Sequence, residues 1–193
     1  MNPSNMSRQF SQNSENKGEE QTKLLFEKIK EYFQIKHETV PIGRTLEGKT
    51  QFAGKKAEAI VEAILIDLGL TYSRAGTQQS KDFRNVGGIG LNIEVKKTDC
   101  NTVIMNDTRP NENIYYIIFC TAEKVKRKKP TILFKNGKEL INAEYPDEIM
   151  KALKIIDEQR ELLKQSIKDN KTSLGNLRMT TRIRHDIDIS KFY

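Results

Sequence analysis

The chain has 193 residues, of which 36% are hydrophobic and 31% charged, and a formal net charge of +7. That length suits one domain with its own core rather than two, and no apolar stretch approaches the ~20 residues of a membrane-spanning helix. Two cysteines (Cys100, Cys120) and two histidines (His37, His185) are too few and too scattered for a disulfide framework or a structural zinc site, so a reducing, cytoplasmic setting is expected.

Residues 1–20 are polar and lack the apolar block of a signal peptide. They are expected to form a disordered or loosely packed arm ahead of a single domain, 21–193. Lys23–Lys36 places Leu25, Ile29, Tyr32 and Phe33 at helical spacing. A loop from His37 to Ala53 follows, punctuated by Pro41, Gly43 and Gly48. Lys55–Leu68 predicts a helix whose apolar face is Ala57, Ile60, Val61, Ile64, Leu65 and Leu68, with Gly69 as its stop. Thr71–Gln79 reads as a short extended piece and a polar loop. Asp82–Lys97 reads as a hairpin with Gly87, Gly88 and Gly90 at its tip. No helix follows these glycines and no Gly-Lys-Ser/Thr completes them, so a nucleotide cofactor is not expected.

Asn113–Thr121 is a nearly continuous apolar run and predicts a central strand. Thr131–Phe134 predicts another strand, turned by Asn136-Gly137 toward Lys138–Ile141. Pro146–Asp169 predicts a long helix with a stripe of Ile149, Leu153, Ile156, Leu163 and Ile167. Thr181–Ile189 alternates and predicts a last strand. The order of elements implies an α/β fold with a central mixed β-sheet flanked by helices.

The chemistry concentrates at Glu94-Val95-Lys96. Side chains alternate faces along a strand, so Glu94 and Lys96 share one face and Val95 points to the other, into a core. Asp82 lies across the hairpin. A two-residue loop would pair Asp82 with Ile93 and turn it away from Glu94. An odd-numbered loop or a glycine bulge would set it opposite Glu94; if these groups share a metal, that register must hold or Asp82 must lie just outside the regular ladder. Asp82, Glu94 and the Val95 carbonyl can then offer oxygens to Mg²⁺, which keeps waters and a phosphate oxygen in its other positions. Lys96 would hold or deprotonate the attacking water or neutralise charge in the transition state; the electrostatic role fits a cation beside carboxylates better. Glu58 and Glu62 are one helical turn apart, and either could face the sheet edge near the metal or simply pair with Lys55 and Lys56 in solvent.

Basic charge gathers downstream. Thr121–Lys138 has seven cations against Glu123, a net of +6, and Lys171–Tyr193 has five against Asp186 and Asp188, a net of +3. Two basic segments behind an acidic site suit a polyanion held by one region and cut by another.

Gly54-x-x-x-Glu58, the amphipathic helix ending at Gly69, Asp82, the glycine hairpin and Glu94-Val95-Lys96 together resemble the PD-(D/E)xK nuclease superfamily, over roughly Gly54–Asp99, with Asn113–Thr121 continuing its core order. Lys81 stands where the family name has proline, a position its chemistry does not require. The resemblance implies a restriction-endonuclease-like core (54–134). It implies Asp82, Glu94 and Glu58 as Mg²⁺ ligands and Lys96 as the assistant to water. With one domain and no helicase or nucleotide-binding motif, the chain is most similar to a stand-alone type II restriction endonuclease. Such an enzyme cuts double-stranded DNA at a short sequence, commonly as a homodimer, leaving 5′-phosphate and 3′-hydroxyl ends.

Base readout would then fall to Asn106 and Arg109 and to Arg178, Arg182, Arg184 and His185. Phosphate contacts would fall to Lys124, Lys126, Arg127 and Lys128. The alternatives are a structure-specific DNA nuclease of resolvase or repair type and a non-catalytic DNA-binding protein on the same scaffold.

Overall fold

The computed structural model describes residues 3–43, 45–46, 50–74, 81–105, 110–121, 130–169 and 186–192. Helix α1 spans Pro3–Lys36, starting ahead of the predicted Lys23 and inside the stretch expected as an arm. Pro3 suits the first helical turn, where its missing N–H is not needed. Helix α2 spans Thr50–Asp67. It ends as its sequence predicts: Gly69 takes φ 64°, its N–H donates to Ile66 O at 2.9 Å, and the Leu70 N–H donates to Leu65 O at 2.9 Å. These two bonds close the last turn onto a left-handed glycine.

Five strands form the main sheet: β1 (Ser73–Arg74), β2 (Phe83–Val86), β3 (Leu91–Thr98), β5 (Tyr115–Cys120) and β6 (Thr131–Asn136), in the order β1-β2-β3-β5-β6. Only the β3–β5 pair is parallel, so the sheet is mixed. The intervening β4 (Thr102–Ile104) leaves the sheet and pairs antiparallel with β7 (Asp186–Asp188). The predicted last strand therefore exists, but in a separate ribbon. Its first residues, 181–185, lie outside the described ones.

One sheet face is covered by α1 and α2: Phe26, Ile29, Phe33, Ala57, Val61, Ile64 and Leu65 pack on Phe83, Ile93, Val95, Ile117 and Phe119. The other face carries Tyr116, Ile118 and Cys120 under Val103, Leu140, Ile187 and Ile189. Strand β5 is thus buried on both sides, which explains its unbroken apolar run. Cys100 and Cys120 are free thiols.

Asn136-Gly137 is not a hairpin turn, and Lys138–Ile141 is not extended. Helix α3 spans Gly137–Glu144. The Asn136 side chain accepts from the Lys138 N–H at 2.7 Å, and Glu139 reaches back to the Asn136 N–H at 2.8 Å. That reciprocal cap outcompetes the turn because Glu139 stands three residues after Asn136. Helix α4 spans Asp147–Asp169, close to the predicted bounds, but Ile149, Ile156 and Leu163 of its stripe enter neither core, being 50%, 40% and 40% exposed. Among the described residues, no helix is long and apolar enough to cross a membrane.

Candidate metal and catalytic site

The register of the β2–β3 hairpin decides where Asp82 points. Val86 pairs with Leu91 across the four-residue turn 87–90, yet Phe83 pairs with Ile93. Strand β2 spends one residue more than β3 over that interval, a bulge. Asn85, at φ 48°, sits in it, with its side-chain oxygen accepting from the Gly90 N–H at 2.8 Å. The bulge keeps both Phe83 and Val86 in the same core although they are three residues apart. Asp82 itself lies just outside the paired ladder, its N–H donating to Ile93 O at 3.0 Å.

Asp82 is fixed from β3 itself: the Val95 N–H donates to its Oδ2 at 2.7 Å. Burial raises the Asp82 carboxyl above its usual range while the Val95 N–H pulls the other way. Glu94 is 7% exposed. Its Oε1 lies 2.5 Å from Lys96 Nζ, but its Oε2 is buried and has no hydrogen-bond partner among the described residues. Burial, which outweighs the Lys96 attraction, pushes Glu94 up to about 7, and Asp82 and Glu58 add to the rise. Tyr116 is the parallel neighbour of Glu94 on β5. Burial pushes its phenol up to about 12, and its hydroxyl accepts from the Asn111 N–H at 2.9 Å.

The next residue along β3 has a different task. Lys97 faces the other way and is buried against Asp99 at 2.5 Å and the Thr45 hydroxyl at 2.6 Å. Asp99 also accepts from the Thr121 hydroxyl at 2.6 Å and the Thr45 N–H at 3.1 Å. Burial opposes its charge, yet these hydrogen bonds win and hold it at about 2. This closed network ties the α1–α2 loop to the end of β3 and leaves Lys96 as the cation aimed at the acidic pair.

Glu58 and Glu62 do not pair with Lys55 and Lys56. Both are held by Arg74 of the edge strand: Glu58 Oε2 at 2.9 Å, Glu62 at 2.5 Å. Among the described residues no group of three or more His, Cys, Asp or Glu is arranged to hold a metal ion. What the structure brings together is Asp82, Glu94 and Lys96, with the Val95 backbone between them and Glu58 turned to Arg74. Arg74 escaped the sequence reading. Its only signal was its place in the extended piece and loop read over Thr71–Gln79, and its partners are set by tertiary packing.

The nominated DNA-contacting residues, Asn106, Arg109, Lys124, Lys126, Arg127, Lys128, Arg178, Arg182, Arg184 and His185, lie outside the described residues. No protein-family model, curated protein or solved structure matches this chain. The functional argument therefore stands on the site.

The donor set suits a hard cation. The Asp82 and Glu94 carboxylates are close enough for their charges to repel, and among the described residues the buried Glu94 Oε2 has no hydrogen-bond donor. Such an atom is costly unless a proton or a cation reaches it. Mg²⁺ takes oxygen ligands of this kind and retains waters, so two protein carboxylates suffice for it.

Proposed function

We propose that this protein is a Mg²⁺-dependent endodeoxyribonuclease with a restriction-endonuclease-like core, cutting double-stranded DNA at a short specific sequence as a homodimer. The observation that carries the reading is the buried Glu94 Oε2, without a hydrogen-bond partner among the described residues, on a carboxylate 2.5 Å from Lys96 and close enough to Asp82 for their charges to repel. A Mg²⁺ ion held there supplies Lewis-acid polarisation of the scissile phosphate and a more acidic water. Asp82 and Glu94, with the Val95 carbonyl, would hold it.

Lys96 Nζ lies 2.5 Å from Glu94 Oε1. Its role is to set positive charge beside the attacked phosphorus, where negative charge grows, and to orient the water by an Nζ–H donor. Val95 anchors the pair from behind: its side chain is in the α1–α2 core and its N–H is on Asp82. The products implied by the family resemblance are 5′-phosphate and 3′-hydroxyl ends.

The test is a digest of a long unmethylated DNA of known sequence, with Mg²⁺ or with chelator, beside Lys96→Ala. Discrete Mg²⁺-dependent bands, absent in the variant, are expected. A smear would mean a nuclease without sequence choice, of structure-specific or repair type. DNA retarded in a gel but never cut under any divalent metal would overturn the catalytic reading and leave a binding protein.

A further inference from the structure

Glu58 is near the acidic pair and yet not part of it. Its charge reaches both Asp82 and Glu94, but no metal-ready triad of acids exists among the described residues. Arg74 accounts for the difference. Its Nη1 donates to Glu58 Oε2 at 2.9 Å, while Nε and Nη2 fork onto Glu62 at 3.0 and 2.5 Å. Glu62 is steadied in turn by the Tyr72 hydroxyl at 2.8 Å. The guanidinium also lies over the Phe83 ring, 4.6 Å from its centroid, and Phe83 is the residue next to Asp82. Arg74 thus has three anchors, and only one of them is Glu58.

We propose that Arg74 is a positioning residue that competes with the metal for Glu58: it holds this carboxylate off the Asp82–Glu94 pair in the metal-free protein and releases it when a divalent cation binds. The fork onto Glu62 and the stack on Phe83 keep Arg74 in place after release, so the exchange breaks one partly exposed ion pair and nothing else. Pairs of that kind are weak, so the exchange is readily reversible. It makes the site open by default and closed around a cation only when one is present. This inference rests on the nuclease reading of the site.

The experiment is calorimetric titration of Mn²⁺ into DNA-free protein, with no turnover involved. The proteins compared are wild type, Arg74→Met, Glu58→Gln, the double variant and Glu94→Gln. Methionine keeps an unbranched side chain over Phe83 and removes the donors. Arg74→Met is expected to bind Mn²⁺ about two- to five-fold more tightly than wild type, the worth of one exposed ion pair. The gain should vanish in the Glu58→Gln background. Arg74→Lys, which can still reach Glu58, should fall between and serves if Arg74→Met does not fold. Unchanged affinity in Arg74→Met, or a gain that survives Glu58→Gln, would overturn the inference while leaving the site intact. Wild type that takes up no Mn²⁺, indistinguishable from Glu94→Gln, would overturn the site reading as well.

Discussion

Lys96 and Lys97 are consecutive cations on β3 with separate tasks, and substitution should tell them apart. Removing Lys97 leaves Asp99 buried without its cation, although the hydrogen bonds from the Thr121 hydroxyl and the Thr45 N–H remain. Lys97→Ala is expected to lose about 3 kcal/mol of stability by urea denaturation. Removing Lys96 leaves Glu94 an escape, since its carboxyl already sits at about 7 and can take a proton. Lys96→Ala should therefore unfold within about 1 kcal/mol of wild type, yet cut DNA at least about 10²-fold more slowly in Mg²⁺. Equal effects on stability would erase the distinction.

Glu94 also makes a pH prediction. Its folded value, about 7, lies above its ordinary 4.5, so the native state holds the proton longer than the unfolded chain does. Stability is then fully present below pH 4.5 and is lost as pH rises toward and through 7. The loss is about 3 kcal/mol at most. With chelator present, wild type should weaken between pH 5 and 8 while Glu94→Gln does not, read from urea midpoints. Parallel pH profiles would mean that Glu94 is not the group being desolvated.

At this scale the sequence was legible in one respect and silent in another. Alternation along β3 paired Glu94 with Lys96 and sent Val95 to the core. Asp82 falls just outside the regular ladder, with its side chain taken by the Val95 N–H, and the register shifts beside it between Phe83 and Val86, which composition cannot reveal. The Arg74 fork depends on β1 and α2 meeting in space, and no local spacing encodes that.

Helix α3 shows how a single dipeptide can carry two meanings. Asn-Gly is a common hairpin signal, but here the Glu three residues after the Asn makes a cap. Gly137 has a second reason to be glycine. A Cβ there would stand 1.9 Å from the Asn111 carbonyl oxygen and 2.6 Å from its carbon, both backbone atoms that cannot swing aside. The Gly137 N–H also donates to Ile114 O at 2.8 Å, and the Ile114 N–H to Asn111 O at 3.0 Å. The start of α3 therefore clamps the turn that enters β5, and that turn is tied to Tyr116 beside Glu94. Gly137→Ala is expected to destabilise by about 1–3 kcal/mol, the usual range for overpacking. The strain should reach the site as a weaker Mn²⁺ response, measured by titration on the folded fraction. Wild-type melting and binding in this variant would show that the turn relaxes freely.

The whole molecule links its acidic and basic regions through one parallel strand pair. β3 and β5 run side by side from Ile93↔Tyr115 to Thr98↔Cys120, and the Thr121 N–H donates to Thr98 O at 3.1 Å. The chain therefore leaves β5 at the same end of the sheet toward which Glu94-Val95-Lys96 runs. Lys124 is only three residues past Thr121 and Lys128 seven. On the proposed nuclease reading, the acids would meet a scissile phosphate and the cations of this sequence segment would take the flanking backbone. If Lys126, Arg127 and Lys128 neutralise one phosphate each, replacing all three by Gln removes three released counterions. The slope of log affinity against log salt should then flatten by about 2.7. Affinity should fall alike for specific and unrelated sequences, because phosphate contacts carry no base information. Fluorescence anisotropy with a labelled duplex in Ca²⁺ between low and moderate salt measures both. A flattened slope with unchanged sequence preference would assign this run to the backbone. An unchanged slope would move the phosphate contacts elsewhere, with Lys171–Tyr193, at net +3, the next segment to substitute.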